Sequence, residues 1–450
     1  MFNAVANAVE ARMAPSHTDG TVPEANPEHQ PAPEAPDGPR EKMLALTWQG
    51  VNKVEMQQCD VPVLINDHDV IINITGTTVC GSDLHLMHGA LLEMNKHDIL
   101  GHEFCGVIAE VGSKVSKRKV GERVVVSFQI ACGSCFYCRQ RLSSQCVNTN
   151  ASSLEPKLYG HKTAGMFGYS HLTGSFAGGQ CEVVRVPWGD VNCLPIPDSV
   201  PDEAALYLSD MLPTSYHTVV DTGVKDGDCV AVWGAGPIGL LCAHWAFLKG
   251  AKRVFLIDRD WRLEYAKSKI PEVETIDFSQ VKDVPAKLRE LTRDEEVPGV
   301  DVALECAAGE YAKSLLHKAQ LAVGLELDTP EIVNECILSV KNFGRVGVTG
   351  IYTGFCNGFA IGAVMEKGVR FIGCGQAPVH KYWDELLQML VDKKIDPISL
   401  FVTHRLPLEE TALLYKKQDA HENSIMKAFI TTKYSSEPSP GAPKLSSLRD

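Results

Sequence analysis

The stretch VAVWGAGPIG (Val230–Gly239) constrains the fold of this chain more than any other. An apolar run leads into glycines at 234, 236 and 239, and a second apolar run, PIGLLCAHWAFLKG, follows at once. The first run reads as a buried strand and the second as a helix, so the glycines occupy a strand-to-helix turn. In that setting each glycine has a mechanical reason. Gly234 permits the tight turn, Gly236 lets a pyrophosphate approach the backbone, and Gly239 lets the helix pack on the strand. The helix N-terminus then offers free N–H groups and a favourable dipole to phosphate. Pro237 falls in the first helical turn, where its missing N–H costs little, with Ile238 beside it. Read without a ligand, the same pattern is only a glycine turn.

Nineteen residues beyond Gly239, the strand-like RVFLID ends at Asp258. A carboxylate there can accept hydrogen bonds from both ribose hydroxyls of a dinucleotide and would repel a 2′-phosphate, which favours NAD over NADP. Arg259 follows, and a neighbouring arginine is what a 2′-phosphate would need, but the charge of Asp258 weighs more. DVALECA and GRVGVTG continue the alternation of strands with helices. A doubly wound parallel α/β sheet is therefore expected over 206–378.

The remaining texture is different. DVIINITGTTVC, FCGVIAEVG and GERVVVSF are short β-rich runs broken by turns, and the strand-like SIMKAFITT returns near the end. The expected order is a β-rich domain over 43–205, interrupted by the dinucleotide-binding domain at 206–378 and completed by 379–433. Within the flanking segments 1–42 and 434–450, residues 14–40 and the C-terminal end are dominated by proline, glycine and small or charged residues. They cannot bury enough surface to offset their ordering entropy and are expected to be disordered.

A formal net charge of −13 argues against a phosphate backbone as partner, since that needs clustered Lys and Arg. KVSKRK (Lys114–Lys119) reads as a solvated turn. No apolar run reaches the ~20 residues that span a bilayer. MFNAVANAVEARM lacks the basic start and apolar core of a secretory signal. The expectation is a cytoplasmic protein that binds neither nucleic acid nor membrane.

CGSCFYCRQRLSSQC places Cys132, Cys135, Cys138 and Cys146 within one short loop. A disulfide knot, a catalytic thiol cluster and a metal site compete to explain it. In a reducing compartment, clustered cysteines more often hold metal or do chemistry. Scattered ones such as Cys229, Cys242 and Cys336 read as small buried apolar residues. A second candidate set comprises CGSDLH (Cys80–His85) and GHEF (Gly101–Phe104), because thiolate plus imidazole suits zinc.

Cys80 in CGSD, His102 and Glu103 in GHE, the four-cysteine loop and GAGPIG occur in that order. Together they make the chain resemble the zinc-containing medium-chain alcohol dehydrogenases from about residue 43 to 433. The resemblance implies a GroES-like β-rich catalytic domain, a Rossmann dinucleotide-binding domain, NAD, and two zinc ions per chain. It implies a catalytic zinc on Cys80, His102 and a third ligand. Many members supply a second cysteine there, whereas LYLSDMLPTSYH puts Asp210 at that place. An aspartate resembles the glutathione-independent formaldehyde dehydrogenase and aldehyde dismutase branch; Asp210 also reads as a helix N-cap. Cys132, Cys135, Cys138 and Cys146 match the family's structural zinc loop, in which four thiolates leave no open position.

The resemblance also implies roles. Ser82 takes the proton from the substrate oxygen and His85 passes it to solvent. Glu103 tunes the metal or replaces a departing ligand, and Asp83 fixes its loop. Thr214 touches the nicotinamide ribose side, and Lys427 reaches the pyrophosphate. The segment Gly168–Gln180 lines the substrate pocket, with Tyr169 and His171 as candidates. The implied reaction passes hydride between an alcohol or hydrated small aldehyde, formaldehyde among them, and NAD, in a homodimer or homotetramer. An insertion near 309–337 falls where that branch retains its cofactor tightly, but its composition is richer in Leu and Ala, so retention and exchange both stay open. Two other readings are a polyol or secondary alcohol dehydrogenase of the same fold, and a dinucleotide-binding sensor without chemistry. The intact set of Cys80, Ser82, His102 and Asp210 argues against the sensor.

Overall fold

A computed structural model describes residues 40–307, 328–352, 354, 356–422 and 424–449. They divide into two units. One takes the described residues up to Asp210 and from Pro378 onward; the other is Met211–Ala377.

The first unit is built on a seven-stranded sheet. Strand Val70–Thr77 pairs antiparallel with Phe104–Val111, which pairs with Arg123–Val126, which pairs with Cys193–Pro195. Val70–Thr77 also meets Val183–Val186 and Lys427–Thr431, and Lys427–Thr431 runs parallel to Val402–Pro407. The chain's late return thus completes the sheet begun by its first half. These runs are rich in Val and Ile, which suit a pleated, packed surface. Ile72, Ile74, Phe104, Ile108, Val124 and Val126 form its core, each burial contributing roughly 1.5–3 kcal/mol. Gly76 has a packing reason, because a Cβ there would lie 2.4 Å from the Phe429 ring. The strand runs out at Thr77, three residues before Cys80.

The second unit holds a six-stranded parallel sheet. Its strands, in sheet order, are Glu274–Asp277, Arg253–Asp258, Cys229–Trp233, Val300–Glu305, Val340–Val348 and Arg370–Gly373. Numbered along the unit, that is the order 3-2-1-4-5-6 of doubly wound dinucleotide-binding sheets. Strand Cys229–Trp233 is buried along its whole length, as a central parallel strand must be.

Two expectations differ from what is observed. The boundary expected at 205 falls at Asp210, because helix Asp202–Ala205 and the turn after it belong to the β-rich unit. Trp383 Nε1 donates to Leu208 O at 2.8 Å and Phe128 N to Ser209 O at 3.2 Å. The helical texture of that stretch resembled the start of the α/β part. The segment 434–449, expected to be disordered, is tied down by hydrogen bonds instead. Glu410 accepts from Ser447 Oγ and from Leu448 N, each at 2.7 Å, and Ser446 N donates to Arg405 O at 2.9 Å. Its composition is poor in apolar residues, but its backbone satisfies buried charges that composition does not register. The expected N-terminal tail up to residue 39, and 309–327 of the 309–337 insertion, lie outside the described residues.

Candidate active site

Cys80 precedes helix Gly81–Met87 as its N-cap. Asp83, in the first turn, reaches back to the Cys80 N–H with Oδ2 at 2.9 Å, half of a capping box. The other oxygen of Asp83 lies 3.1 Å from His102 Nδ1. One buried carboxylate therefore ties two separate segments together. His102 and Glu103 stand at the entry of strand Phe104–Val111, both buried. Ser209 Oγ donates to the His102 carbonyl at 3.3 Å, which holds the chain next to Asp210. The ligand atoms of Cys80, His102, Glu103 and Asp210 all lie within 4.8 Å of one another. His102 Nε2 is 3.3 Å from Asp210 Oδ2 and 3.7 Å from Glu103 Oε1, yet this buried nitrogen forms no hydrogen bond.

This donor set fits zinc. A buried imidazole nitrogen without a hydrogen bond, facing a thiol and two carboxylates, is costly unless a cation sits among them. Burial opposes positive charge on His102, but Tyr169, Asp83 and Asp210 outweigh it and raise its pKa well above the ordinary value. The local field thus favours a cation. Glu103 stands behind the site. Burial pushes its carboxyl up against the pull of Lys427, whose Nζ lies 2.9 Å from Glu103 Oε1. Lys427 was expected at a pyrophosphate; it is buried in this ion pair instead, because Glu103 needs a counter-charge.

The four loop cysteines also converge. Cys132 Sγ lies 3.9 Å from Cys138 Sγ and Cys135 Sγ lies 3.9 Å from Cys146 Sγ, with all four sulfurs within 4.8 Å. No pair is bonded as a disulfide. Zinc–sulfur bonds of about 2.3 Å imply sulfur–sulfur edges of about 3.8 Å in a tetrahedron. Backbone N–H groups point at the sulfurs: Cys135 N to Cys132 Sγ at 3.3 Å and Cys138 N to Cys135 Sγ at 3.5 Å. Asn148 Nδ2 adds a bond to Cys132 Sγ at 3.3 Å. Such bonds stabilise thiolates, as a metal requires. Bonds from Cys138 and Cys146 pull the Cys132 thiol below its usual range and Cys146 chiefly brings Cys135 to about 6, while the same mutual bonds push Cys138 and Cys146 up, so without a metal the cluster shares its remaining protons between two of its sulfurs.

In the second unit, Gly234 takes φ +98° at the end of strand Cys229–Trp233. Helix Pro237–Leu248 follows, with Gly236 as an N-cap that gives no side-chain bond, so its first N–H groups face outward uncapped. A Cβ on Gly239 would lie 1.8 Å from Gly234 O, whereas one on Gly236 would meet nothing within 4 Å. The third glycine thus serves packing, and the second leaves a cradle a pyrophosphate fits. Asp258 ends strand Arg253–Asp258, buried. Its oxygens accept from Ala235 N at 2.7 Å and Arg259 N at 2.8 Å, which fixes the carboxylate beside the turn. The Arg259 side chain is half exposed, 3.4 Å from Asp260.

Residues 66–198 match the alcohol dehydrogenase GroES-like domain. Over 396 residues the chain is 38% identical to a zinc-type alcohol dehydrogenase-like protein of Schizosaccharomyces pombe, covering 88% of this chain and 92% of that one. This chain belongs to the zinc-type medium-chain alcohol dehydrogenases. It is also 31% identical to a glutathione-independent formaldehyde dehydrogenase of Pseudomonas aeruginosa, over 83% of this chain and 94% of the relative. The solved structure of alcohol dehydrogenase TADH from Thermus sp. ATN1 superposes with a TM-score of 0.71 at 30% identity, covering 87% of this chain and all of that one. The members of this family are oxidoreductases that use zinc and NAD(P). Among the described residues, no helix is long and apolar enough to cross a membrane.

The other expected residues of this dehydrogenase are placed as follows. Ser82 is buried in helix Gly81–Met87, and His85 is half-buried in its last turn. Thr214 lies in helix Met211–Asp221 of the second unit. Tyr169 is buried, its ring centroid 5.1 Å from that of His102. His171 belongs to a polar cluster, with Nε2 3.2 Å from Asp98 Oδ1 and 3.0 Å from both Asn95 Nδ2 and Ser175 Oγ. Sequence reasoning gave Gln180 only as the end of a pocket-lining segment and missed Tyr415; both reach His102 through Asp83. The run GGQ gave a faint signal for Gln180; nothing distinguished Tyr415.

Proposed function

We propose that this chain is a zinc- and NAD-dependent dehydrogenase that oxidises small alcohols or hydrated aldehydes, formaldehyde among them, without glutathione. The observation that carries the reading is the convergence of Cys80, His102 and Asp210, with Glu103 behind them, around one buried imidazole nitrogen. Those three would hold a zinc ion, whose Lewis acidity would lower the pKa of the substrate hydroxyl. The turn Gly234–Gly239 with Asp258 would bind NAD, the hydride acceptor, and Thr214 would contact its ribose.

The chain's own groups then handle the proton. Ser82 accepts it from the substrate oxygen, and His85, one helical turn on and more exposed, delivers it to solvent. Tyr169 lines the site beside His102 and, being buried, stays protonated and neutral. Cys132, Cys135, Cys138 and Cys146 would hold the second zinc, closed to substrate and serving the fold. A homodimer or homotetramer in the cytoplasm belongs to the same reading.

Asp210 as third ligand and the Pseudomonas relative support the aldehyde side of this range. The Schizosaccharomyces relative, at higher identity, is an alcohol dehydrogenase-like protein and supports the alcohol side; the alternative reading is a polyol or secondary alcohol substrate for the same machinery. A panel of alcohols and aldehydes, run with NAD or NADP and with or without glutathione, separates them. NADH formation from formaldehyde without glutathione is the expected result. Turnover of polyols alone selects the alternative, and no turnover of any member rejects both. Formaldehyde turnover without added NAD would indicate a retained cofactor and dismutation.

A further inference from the structure

Behind the candidate zinc ligands runs a continuous buried hydrogen-bond chain. Tyr415, on helix Thr411–Asp419, donates its hydroxyl to Gln180 Oε1 at 2.8 Å. Gln180 Nε2 donates to Thr78 O at 2.9 Å and to Asp83 Oδ2 at 3.1 Å. Asp83 Oδ2 also accepts from Cys80 N at 2.9 Å, which leaves Oδ1 for His102 Nδ1 at 3.1 Å. Tyr415, Gln180, Asp83 and His102 are each at most 1% exposed.

The donor and acceptor roles along this chain admit one assignment. Thr78 O and the Asp83 carboxylate can only accept, so the Gln180 NH₂ must face them. Its carbonyl must then face Tyr415, which has a hydroxyl proton to give. A flipped amide would set oxygen against two acceptors and is excluded. With Gln180 and the Cys80 N–H both directed at Oδ2, the remaining oxygen of Asp83 faces Nδ1. The imidazole therefore carries a proton on Nδ1 and turns Nε2 toward Asp210, the nitrogen that a bound metal would take. Gly101, immediately before His102, makes room: it takes φ +93°, and a Cβ there would lie 2.4 Å from Gln180 Cγ.

We propose that Gln180 and Tyr415 are positioning residues for the metal-binding imidazole, fixing Asp83 and through it the tautomer and orientation of His102. This rests on the reading that Cys80, His102 and Asp210 hold a zinc. Through Tyr415, the late-returning part of the chain is coupled to a metal site assembled from its first half.

The four-cysteine site supplies an internal control, so the test uses Tyr415→Phe and Gln180→Met in the full chain loaded with zinc and, separately, with cobalt(II). Tyr415→Phe removes one hydroxyl; Gln180→Met removes both amide groups at similar volume. Zinc transfer to a chelator is followed for each of the two sites. The expected result is a roughly tenfold weaker hold at the Cys80–His102–Asp210 site, at the low end of what outer hydrogen-bond partners confer. The four-cysteine site should be unchanged. The visible spectrum of cobalt at the first site should shift, since ring orientation changes the ligand field. Identical retention and spectra in both variants overturn the proposal. Equal loss of metal from both sites also overturns it, because that is general destabilisation. Wild-type protein that takes up no metal at the Cys80–His102–Asp210 site rejects the site reading itself and this inference with it. Wild-type protein with two metals but no turnover rejects the proposed substrates alone.

Discussion

On the proposed reading Cys80 is the residue on which the chemistry turns: its sulfur would complete the ligand set, and its N–H anchors Asp83. Cys80→Ala removes the thiolate and leaves the dinucleotide turn untouched. Turnover should fall to background while NADH binding, read by fluorescence titration, stays within about twofold of wild type; residual full activity would remove Cys80 from the mechanism. Asp83→Asn makes a subtler case. An asparagine cannot accept from Cys80 N, Gln180 Nε2 and His102 Nδ1 together without turning its NH₂ onto one of those donors. Retention of the catalytic zinc should weaken about 10- to 100-fold, and unchanged retention would mean that the bond to His102 does nothing for the metal. The candidate ligands were legible in the sequence because thiols and imidazoles in GHE and CGSD are chemically conspicuous. Gln180 and Tyr415 were not, because their task depends on which donor faces which acceptor across 235 residues of chain.

At the scale of elements, the four-cysteine loop holds only a four-residue helix, Phe136–Arg139, and a short turn, Ser143–Gln145. Too little regular structure holds it in place by itself, and on the proposed reading a metal joins the sulfurs. Cys135→Ser should lower the thermal midpoint by about 5–10 °C, equivalent to a few kcal/mol in a unit of this size, with one zinc lost per chain. An unshifted midpoint with full zinc would reject a structural role. Helix Val379–Val391 carries a different liability. Both ring nitrogens of His380 are buried, the ring lies 4.5 Å from that of Trp383, and burial lowers its pKa to about 4 against a weaker pull from the Val191 backbone. The unfolded chain protonates this histidine near 6.5 and the folded chain only near 4. Stability is therefore complete above about pH 6.5 and falls as pH drops toward 4, by at most on the order of 3 kcal/mol. Urea unfolding at pH 7 and pH 5 should show a smaller difference for His380→Phe than for wild type; equal differences would show that another group governs the acid limb. Strand texture such as RVFLID and GERVVVSF gave these elements away, since β-branched runs between turns have few alternatives. The buried His380 did not show, because a histidine in a helix looks alike whether it faces water or Trp383.

Over the whole molecule, the order of textures already implied a β-rich unit interrupted by a parallel one, because a sheet begun early and completed late leaves the middle of the chain to fold by itself. What composition concealed is how the last residues are used. Arg405 and Glu203 form a buried ion pair, at 4% and 6% side-chain exposure. A buried pair is tolerable only if its remaining hydrogen-bonding groups are met. The tail meets them: Ser436 O accepts from Arg405 Nη2, and Ser439 N donates to Glu203 Oε1 at 3.2 Å. Ser435 Oγ bonds Thr75 O at 2.6 Å, while Ser447 and Leu448 cover the Glu410 carboxylate. A segment poor in apolar side chains thus stays in place through polar groups that its neighbours require. Deleting residues 434–450 exposes or orphans those groups, at about 1–3 kcal/mol for each that stays buried. Partial hydration offsets some of this, so the midpoint should fall by roughly 5–10 °C. Zinc content and turnover at low temperature should stay near wild type, because the ligands come from other segments. A truncated protein as stable as the full chain would mean that these bonds do not persist in solution and that the tail is as disordered as its composition suggests.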